Sequence, residues 1–472
     1  MSCNLKFLYN KFFRITKKLL PTHFLIIGFF LIEFIGSVLL WLPISSHNFK
    51  SVGIVDAFFT ATSALCVTGL TVKNTLLQWS LFGKIVIMLL IEIGGLGFMT
   101  IITVFFIFAG KKITLKERLI IQESLNQLNY TGIVALVKRI FNWVIIIQGI
   151  GALVLSIRFM FEPNINFFKA IFMGIFHSIS SYCNAGFDII GEKSMAPYVK
   201  DFTINFTVMT LITLGAIGYT VMADIIYVFR DLAYKKLSFS KKFSRLKLHS
   251  KLAIISTVIL SLLGAFIILI FEFNNTKTLG QLNFFDKIMA SLFQSISSRT
   301  TGFDTIDEID LHQNSKIITL ILMFIGGSPG GTAGGVKTVT VAILILSVIC
   351  AIKGSNKIEA FKRTISFYTL QRALAIIFFN FSAVILSTLI ISELNPNIDF
   401  IDVLFETTSA VGTVGLSLGL VANFSVLCKL IICFDMIIGK LGPVSIAVAL
   451  LLRHRNAAEN LINYPKEKVI VG

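Results

Sequence analysis

Long apolar runs alternate with short polar links along this chain. About 20 apolar residues in a helix cross the hydrocarbon core of a bilayer, so each run of that length predicts one membrane span. The runs that qualify lie at 22–44, 81–108, 140–161, 204–229, 252–272, 315–346, 373–394 and 425–452. Glycines interrupt the sixth run. The pattern therefore predicts an all-α membrane protein with eight transmembrane helices.

Four shorter apolar segments lie between the runs, with helical spacing but too few residues to cross a bilayer. They occupy 55–64, 167–180, 284–297 and 400–410. Each is followed by a Ser/Thr-rich stretch that ends at a glycine: Gly69, Gly186, Gly302 and Gly415. These glycines are 117, 116 and 113 residues apart. A recurring interval of this kind indicates four copies of one unit, each with a re-entrant half-helix and a glycine loop.

Each unit therefore reads as helix, half-helix, loop and helix. The predicted units are 22–110, 140–230, 250–350 and 373–452, between cytosolic tails at 1–21 and 453–472. Two crossings per unit leave all four units parallel, which favours a ring around a central pore. The inverted repeats of many alternating-access carriers need units with an odd number of crossings. A secondary transporter for another cation or a small solute is the alternative.

The composition agrees with a membrane protein. The 472 residues are 55% hydrophobic and 14% charged, with a mean hydropathy of +0.84. The net charge is +17, and 28 of the 42 Lys and Arg residues fall in the segments predicted to face the cytoplasm. This bias is the positive-inside rule, so we expect a multi-pass protein of the cell (plasma) membrane with both termini inside. The basic residues then face lipid headgroups, and nucleic acid is not an expected partner.

A loop at membrane depth leaves backbone N–H and C=O groups that lipid cannot satisfy, so it must lie inside protein or line a wet cavity. Four such loops around one axis would present rings of carbonyl oxygens, which can replace the water shell of a monovalent cation. Each half-helix would direct the negative end of its dipole at the same point. Glycine adopts the positive φ angles that such a loop requires.

The stretches "ATSALCVTGLTV", "IGGLGFMT", "RTTGFDT", "GGSPGGTAGGVKT" and "SAVGTVGLS" resemble the ion-translocating subunits of the Ktr/Trk/HKT potassium transporters, most closely the Ktr membrane subunit. The resemblance covers nearly the whole chain. It implies that the four loops form one potassium filter. The implied filter residues are Cys66, Val67, Thr68, Gly69, Cys183, Asn184, Ala185, Gly186, Arg299, Thr300, Thr301, Gly302, Gly412, Thr413, Val414 and Gly415. In the family, glycine rather than serine at the first position accompanies preference for potassium over sodium.

The sixth run contains "FIGGSPGGTAGGVKT" (324–338), where six glycines and a proline cannot continue a helix. The segment lacks the Walker spacing of a phosphate loop, and a simple kink is the other alternative. The resemblance implies an intramembrane gate below the filter, touched by a basic residue of the last span that is usually arginine. The implied gate residues are Gly326, Gly327, Ser328, Pro329, Gly330, Gly331, Thr332, Ala333, Gly334, Gly335, Lys337 and Lys440.

Charged residues within membrane segments are rare and usually functional. Glu92 or Asp435 is a candidate partner for one of the two gate lysines, and a carboxylate that faces water is the alternative. Glu406, in the fourth half-helix, is expected to influence cations at the outer mouth, and His177 to be a hydrogen-bonded polar cap. No zinc spacing or enzyme motif is present, so the chain is not expected to be an enzyme.

The resemblance also implies partners. It implies a membrane homodimer with one pore per subunit and a cytosolic ring of nucleotide-binding regulatory subunits of the Ktr type. The basic segments 109–118 and 235–251 are the candidate docking surfaces, and the terminal "EKVIVG" is expected to reach the dimer partner. No cofactor is expected in this chain. Potassium is the implied substrate, and whether sodium activates transport is left open.

Overall fold

The computed structural model describes residues 21–108, 113–124, 132–163, 165–191, 193–233, 239–355 and 357–442. The predicted N-terminal tail up to residue 20, the last part of the eighth span, the C-terminal tail with its "EKVIVG" ending and part of both docking segments lie outside these residues. Within them the chain is almost entirely helical, and its order of elements recurs four times.

The helices of the four units follow in chain order. Unit 1 contains α1 (Pro21–Trp41), α2 (Ile54–Cys66), α3 (Thr75–Gln78), α4 (Leu81–Leu96) and α5 (Phe98–Phe108). A linking helix, α6 (Leu115–Ser124), precedes unit 2, which contains α7 (Ile133–Met160), α8 (Phe167–Cys183), α9 (Phe202–Ala216) and α10 (Tyr219–Ala233). A second linking helix, α11 (Phe239–Arg245), leads to unit 3, with α12 (Leu248–Glu272), α13 (Phe284–Ser297), α14 (Gln313–Phe324) and α15 (Thr338–Ile352). Unit 4 contains α16 (Phe367–Leu394), α17 (Phe400–Gly412) and α18 (Val426–Leu441).

Short elements complete the chain. An antiparallel hairpin of β1 (Ile358–Ala360) and β2 (Arg363–Ile365) joins units 3 and 4. The sequence analysis predicted no strand there. Single 3₁₀ turns lie at Pro43–Ser45, Ala196–Tyr198, Glu308–Asp310 and Val421–Asn423.

The first helix of units 2, 3 and 4 is long and apolar enough to cross a membrane alone: these are α7, α12 and α16. The second helix is broken instead of continuous. The α4–α5 pair bends by 94° and the α9–α10 pair by 99°, each pair forming at most one span. Side chains such as Phe34, Leu262 and Phe378 expose more than half of their surface on the outside of the helices, as lipid-facing residues do. The prediction of an all-α membrane protein with re-entrant half-helices is confirmed, and the predicted spans at 81–108 and 204–229 are bent helix pairs.

The break in each second helix has a local cause. The residues at the breaks are Gly97 and Gly218, with φ of +79° and +95°, and α18 ends before Gly442 with φ of +80°. A right-handed helix cannot continue through a residue with positive φ, and glycine adopts this conformation at little cost. The sequence analysis did not foresee the bends in the second and fourth runs.

Polar contacts link neighbouring units, including unit 4 with unit 1. One contact at each junction illustrates this: Asn74 Nδ2 with the Gly191 oxygen at 2.9 Å, Lys193 with Asp307 at 3.4 Å, Lys316 with Asp402 at 3.3 Å, and Lys429 with Asp56 at 3.0 Å. Ion pairs that are partly exposed contribute little to stability. Their cyclic order nevertheless places the four units in a closed ring.

Candidate functional site

The four glycine loops meet one another around a common centre. They are loop 1 (66–69), loop 2 (183–186), loop 3 (299–302) and loop 4 (412–415). A Cβ added to the glycine of each loop would lie closer than 3.0 Å to the carbonyl oxygen of the next loop. The four pairs are Gly69 with Ala185, Gly186 with Thr301, Gly302 with Val414, and Gly415 with Thr68. Because the last pair returns to loop 1, the loops form a closed ring in the order 1–2–3–4.

The backbone of the loops explains why glycine ends each one. The φ angles of Gly69, Gly186, Gly302 and Gly415 are +94°, +68°, +78° and +98°. A side chain at any of them would therefore be strained by the backbone conformation as well as by the neighbouring carbonyl. Loops 1, 2 and 4 carry a second residue in the left-handed region, with φ of +59°, +62° and +48° at Val67, Asn184 and Thr413.

Loop 3 differs from the other three. Its half-helix α13 ends at Ser297, and the next residue, Ser298, stays in the right-handed region with φ of −60°. The side chain of Arg299 is buried and directed at α12, where one guanidinium nitrogen lies 3.4 Å from the Thr257 oxygen. Only the backbone of Arg299 can therefore contribute to the ring, although the sequence analysis included this residue among the filter residues without distinction.

One serine near the end of each half-helix braces its loop. Units 1 and 4 share one form of this contact, and units 2 and 3 share another. Ser63 and Ser409 accept hydrogen bonds from the nitrogens of Gly69 and Gly415, at 3.1 and 3.0 Å. The corresponding residues Ser180 and Ser297 donate to the oxygens of Phe187 and Phe303, at 2.7 and 2.5 Å. The recurring serines were visible in the sequence, but their partners were not.

Two ionisable residues brace loops 2 and 4 at corresponding places. His177 Nε2 accepts from the Ile189 nitrogen at 3.2 Å, while its Nδ1 lies 2.7 Å from the Met173 oxygen. Glu406 Oε1 accepts from the Leu418 nitrogen at 2.8 Å. Ile189 and Leu418 each lie three residues beyond the loop glycine. His177 is thus the hydrogen-bonded residue that the sequence predicted. Glu406 is completely buried and holds the loop instead of facing the outer mouth.

Glycines of the second helices allow close packing behind the loops. A Cβ at Gly94, Gly215 or Gly439 would lie closer than 3.0 Å to a carbonyl oxygen of the adjacent half-helix. The three carbonyls belong to Leu65, Tyr182 and Val411, each four residues before a loop glycine. Another glycine follows three residues later, so a G-x-x-G pattern marks the bends of the second helices in units 1 and 2 and the end of α18 in unit 4. Gly327 and Gly330 repeat this spacing in unit 3, and the sequence analysis missed the signal.

The glycine-rich segment (326–337) lies directly against the loops. Its Thr332 hydroxyl donates to the Tyr182 oxygen at 3.2 Å and accepts from Asn184 Nδ2 at 2.7 Å. A Cβ at Gly334 would collide with the Thr413 side chain of loop 4. The segment therefore contacts two opposite loops of the ring, on the side where the half-helices end.

The same segment fills the bend of the broken helix in unit 2. The Ser328 nitrogen donates to the Ala216 oxygen at 2.9 Å, and the Tyr219 nitrogen donates to the Gly330 oxygen at 2.9 Å. The bend frees these carbonyl and N–H groups from helical partners, and the segment satisfies them. Its position is therefore linked to the start of α10.

The two lysines of the predicted gate both donate to backbone oxygens of the segment. Lys440 Nζ lies 3.0 Å from the Thr332 oxygen. Lys337 Nζ lies 2.5 Å from the Ala333 oxygen and 3.2 Å from that of Gly334. The segment therefore has one lysine latch from the last span and one from its own end.

The expected pairing of Glu92 or Asp435 with a gate lysine is not what the structure has. Glu92 Oε2 accepts from Gln148 Nε2 at 2.9 Å and from Cys183 Sγ at 3.4 Å. Asp435 Oδ1 accepts from the Ser387 hydroxyl at 2.7 Å. Neutral donors on neighbouring helices lie nearer to both carboxylates than the lysines do, so each acid supports the helices around a loop.

Two further acids that the sequence left without a role have structural partners. Glu33 Oε1 accepts from the Thr62 hydroxyl of α2 at 2.5 Å, behind loop 1. Asp224 Oδ2 accepts from the Lys247 nitrogen at 2.9 Å and the Ser250 hydroxyl at 2.6 Å, at the start of α12. Among the residues described, no cluster of three His, Cys, Asp or Glu side chains could hold a metal ion.

The comparisons with known proteins agree with this geometry. A family model described as "TrkH: Cation transport protein" matches residues 12–460. The chain belongs to this family. The family transports cations and is not a family of enzymes, and this chain is a multi-pass membrane protein.

Several relatives of the TrkH-family chain match over nearly their full length. The chain is 38% identical over 462 residues to the potassium/sodium uptake protein NtpJ of Enterococcus hirae, and the match covers 97% of this chain and 99% of the relative. It is 38% identical over 454 residues to the Ktr system potassium uptake protein B of Bacillus subtilis, covering 96% and 97%. The crystal structure of the potassium transporter TrkH from Vibrio parahaemolyticus shares the fold, with a TM-score of 0.67 at 19% identity over 90% of this chain and 84% of that one.

Proposed function

We propose that this TrkH-family chain carries potassium into the cell through the ring of its four glycine loops. The observation that carries the proposal is the closed order of the loops, in which each glycine faces a carbonyl of the next. Backbone oxygens gathered at one axis can replace the water shell of a monovalent cation. The four half-helices end at this axis and add the negative ends of their dipoles.

The preference for potassium over sodium is part of the proposal. All four loops end in glycine, so no side-chain hydroxyl enters the ring at those positions. The serine and acid braces act from behind the loops and hold their carbonyls in place. The relatives support this substrate, because their names include potassium uptake in both cases and sodium in one. Activation by sodium is a further proposal that rests on the same relatives.

The glycine-rich segment (326–337) is proposed to be the gate. It lies across the end of the ring and is tied to loop 2 through Thr332 and packed against Thr413 of loop 4. Lys440 holds it from the last span. A segment with this many glycines gains little from side-chain packing and can move at low cost. Movement of the segment would open the pathway.

A regulatory subunit is proposed to act on the gate from the cytosolic side. The relatives of the Ktr system support a partner of this kind. A cavity of about 730 Å³ lies against α10. It is lined by three basic residues, Arg245, Lys247 and Arg363, and by one acid, Asp224, together with uncharged residues. Because α10 begins at Tyr219, which is bonded to Gly330 of the segment, force applied at this basic cavity would reach the gate. A ring of nucleotide-binding subunits and a membrane homodimer, with both termini in the cytoplasm, complete the proposal.

Uptake of radioactive rubidium into vesicles that contain the purified chain tests the proposed pathway. We expect uptake that unlabelled potassium suppresses more strongly than sodium does. Gly186→Ala should reduce it by an order of magnitude or more, because the new Cβ meets a carbonyl of loop 3 at a residue with positive φ. Gly191→Ala is the matched control, because nothing lies within 4 Å of its Cβ position. Absence of uptake by the wild type, or equal uptake by both variants, would refute the proposal.

A further inference from the structure

The carboxamide of Asn184 connects three parts of the proposed pathway. Its Oδ1 accepts from the hydroxyls of Thr300 and Thr301 in loop 3, at 2.9 and 2.8 Å. Its Nδ2 donates to the hydroxyl of Thr332 in the glycine-rich segment at 2.7 Å. Asn184 itself belongs to loop 2, where it has a φ of +62°. One side chain thus joins two adjacent loops and the gate.

The Thr332 hydroxyl both accepts and donates a hydrogen bond in this arrangement. It accepts from Asn184 and donates to the Tyr182 oxygen, the carbonyl two residues before Asn184. A hydroxyl has a single proton to donate, so both bonds depend on the segment lying where it does. With the segment in this position Asn184 and Thr332 have 0% and 1% of their surface exposed, so the bonds between them are shielded from water.

We propose that the position of the gate sets the ion preference of the filter through Asn184. When the segment moves away, the Asn184 carboxamide and the Tyr182 carbonyl both lose the Thr332 hydroxyl. Asn184 Nδ2 also lies 3.4 Å from the Tyr182 oxygen and 3.5 Å from the Ile212 oxygen, both longer contacts than the one to Thr332. A buried polar group that loses its shortest bond is destabilised, so the carboxamide turns to shorten these contacts. This turn disturbs its bonds to Thr300 and Thr301, and loop 2 shifts relative to loop 3. The inference rests on the proposed function of the loops and segment.

A purely structural role for these bonds would give a different result. If the bonds only hold the gate closed, their loss changes how often the pathway is open and leaves the ratio of rubidium to sodium uptake unchanged. If Asn184 couples gate and filter, loss of the Thr332 hydroxyl changes this ratio although Thr332 is not one of the ring residues. The ratio is therefore the deciding measurement.

The test compares initial uptake of radioactive rubidium and sodium by vesicles containing the full chain. Thr332→Val replaces the hydroxyl with a methyl group of similar size. We expect a rise in uptake and a fall of roughly three- to tenfold in the rubidium-to-sodium ratio, the scale of one lost hydrogen bond. Thr332→Ser keeps the hydroxyl and should retain the wild-type ratio.

Ser328→Ala is the matched control within the segment. The Ser328 hydroxyl contacts the Thr338 and Thr257 hydroxyls at 2.9 and 3.5 Å. Thr257 meets loop 3 only through its backbone oxygen, which lies 3.4 Å from Arg299 and which the variant leaves in place. We expect this variant to alter the amount of uptake but not the ratio. The same fall in ratio for Ser328→Ala and Thr332→Val would overturn the coupling.

A double-mutant cycle adds a second arm. Asn184→Gly removes the carboxamide and suits the left-handed backbone. If Asn184 and Thr332 act together, the ratio in the double variant should equal that of Asn184→Gly alone. Independent fold-changes that multiply would overturn the proposal. If the wild type takes up rubidium selectively and Thr332→Val leaves the ratio unchanged, only the coupling fails. If the wild type takes up none, the proposed function fails with it.

Discussion

The ammonium group of Lys440 donates to the backbone oxygen of Thr332, and the two atoms are 3.0 Å apart. Lys440 lies in the last turn of α18, and Thr332 lies in the middle of the glycine-rich segment. The bond therefore joins unit 4 to the glycine-rich segment that interrupts unit 3. Because Thr332 also binds Asn184 and Tyr182 of unit 2, one residue of the segment receives restraints from two units on either side.

Replacing Lys440 should release the segment. Lys440→Met keeps much of the side-chain volume and removes the donor, so rubidium uptake without any regulatory partner should rise several-fold. One hydrogen bond from a charged donor is worth about 1.5–3 kcal/mol, which sets the upper limit of the effect. Lys440→Arg retains the charge and should remain close to the wild type.

Lys84→Met is the control for the Lys440 variant. Lys84 Nζ also donates to a backbone oxygen, that of Leu76 at 2.9 Å, but this contact lies in unit 1 away from the segment. Unchanged uptake is expected for Lys84→Met. A Lys440→Met variant that inserts normally and shows no increase would contradict the latch.

A side chain at Gly334 should push the gate away from loop 4. The Cβ of Gly334→Ala would collide with the Thr413 side chain, so the closed position is destabilised and basal uptake should increase several-fold. Gly149→Ala, where nothing lies within 4 Å of the new Cβ, is the control in vesicles. Deletion of 331–334 should increase uptake further. Wild-type uptake by both segment variants would show that the segment does not close the pathway.

The buried carboxylate of Glu406 should stabilise loop 4. Glu406→Ala removes the acceptor of the Leu418 nitrogen and Ser417 hydroxyl bonds, both 2.8 Å long. We expect a loss of about 2–4 kcal/mol in stability, because buried donors are left without partners. Thermal unfolding in detergent should show a lower midpoint. Glu406→Gln retains an acceptor oxygen and should lose less, while the exposed Glu393→Ala should lose nothing measurable. A Glu406→Ala midpoint equal to the wild type would contradict the brace.

The sequence predicted the elements of this fold better than their contacts. Span length and apolar spacing are local properties, so the half-helices and the four loop glycines could be located from them. The braces join residues that are distant in sequence, such as Asn184 with Thr332, and no local pattern specifies them. Glu92 shows the limit clearly. Its charge suggested a lysine partner, yet Gln148 and Cys183 on adjacent helices lie closer.

Some structural features do correspond to a sequence pattern, but the structure is needed to see what the pattern means. The G-x-x-G spacing at Gly94 and Gly97 recurs at Gly215 and Gly218. The first glycine packs on a half-helix carbonyl and the second takes the positive φ that bends the helix. From the sequence alone, both read as ordinary small residues at a helix contact. The direction of the Arg299 side chain had no such signal.

Asp188 and Asp304 each end a Gly-Phe-Asp stretch, at 186–188 and 302–304. These two acids should make uptake depend on external pH. Burial raises the pKa of Asp188 to about 7, and the nearby Asp304 carboxylate adds to the shift. Burial likewise raises the pKa of Asp304 to about 6, with Asp307 acting in the same direction and Lys193 opposing it. Both acids follow their loop glycines by two residues, which is the outer mouth of the proposed pathway. As external pH falls from 8 to 5, each becomes protonated and the mouth loses negative charge.

Rubidium uptake should therefore require a higher external concentration for half-maximal rate at pH 5 than at pH 8. A change of a few-fold is expected, since charges near a pore mouth concentrate cations there. Asp188→Asn should weaken uptake at pH 8 and flatten the profile above pH 6. Asp286→Asn, at the start of α13, is the control and should retain the wild-type profile. Burial also raises the pKa of Glu308 to about 8. The Glu308→Gln variant therefore shows how much of the pH dependence of uptake comes from Glu308 and not from Asp188. A pH profile that Asp188→Asn leaves unchanged would exclude this acid as its source.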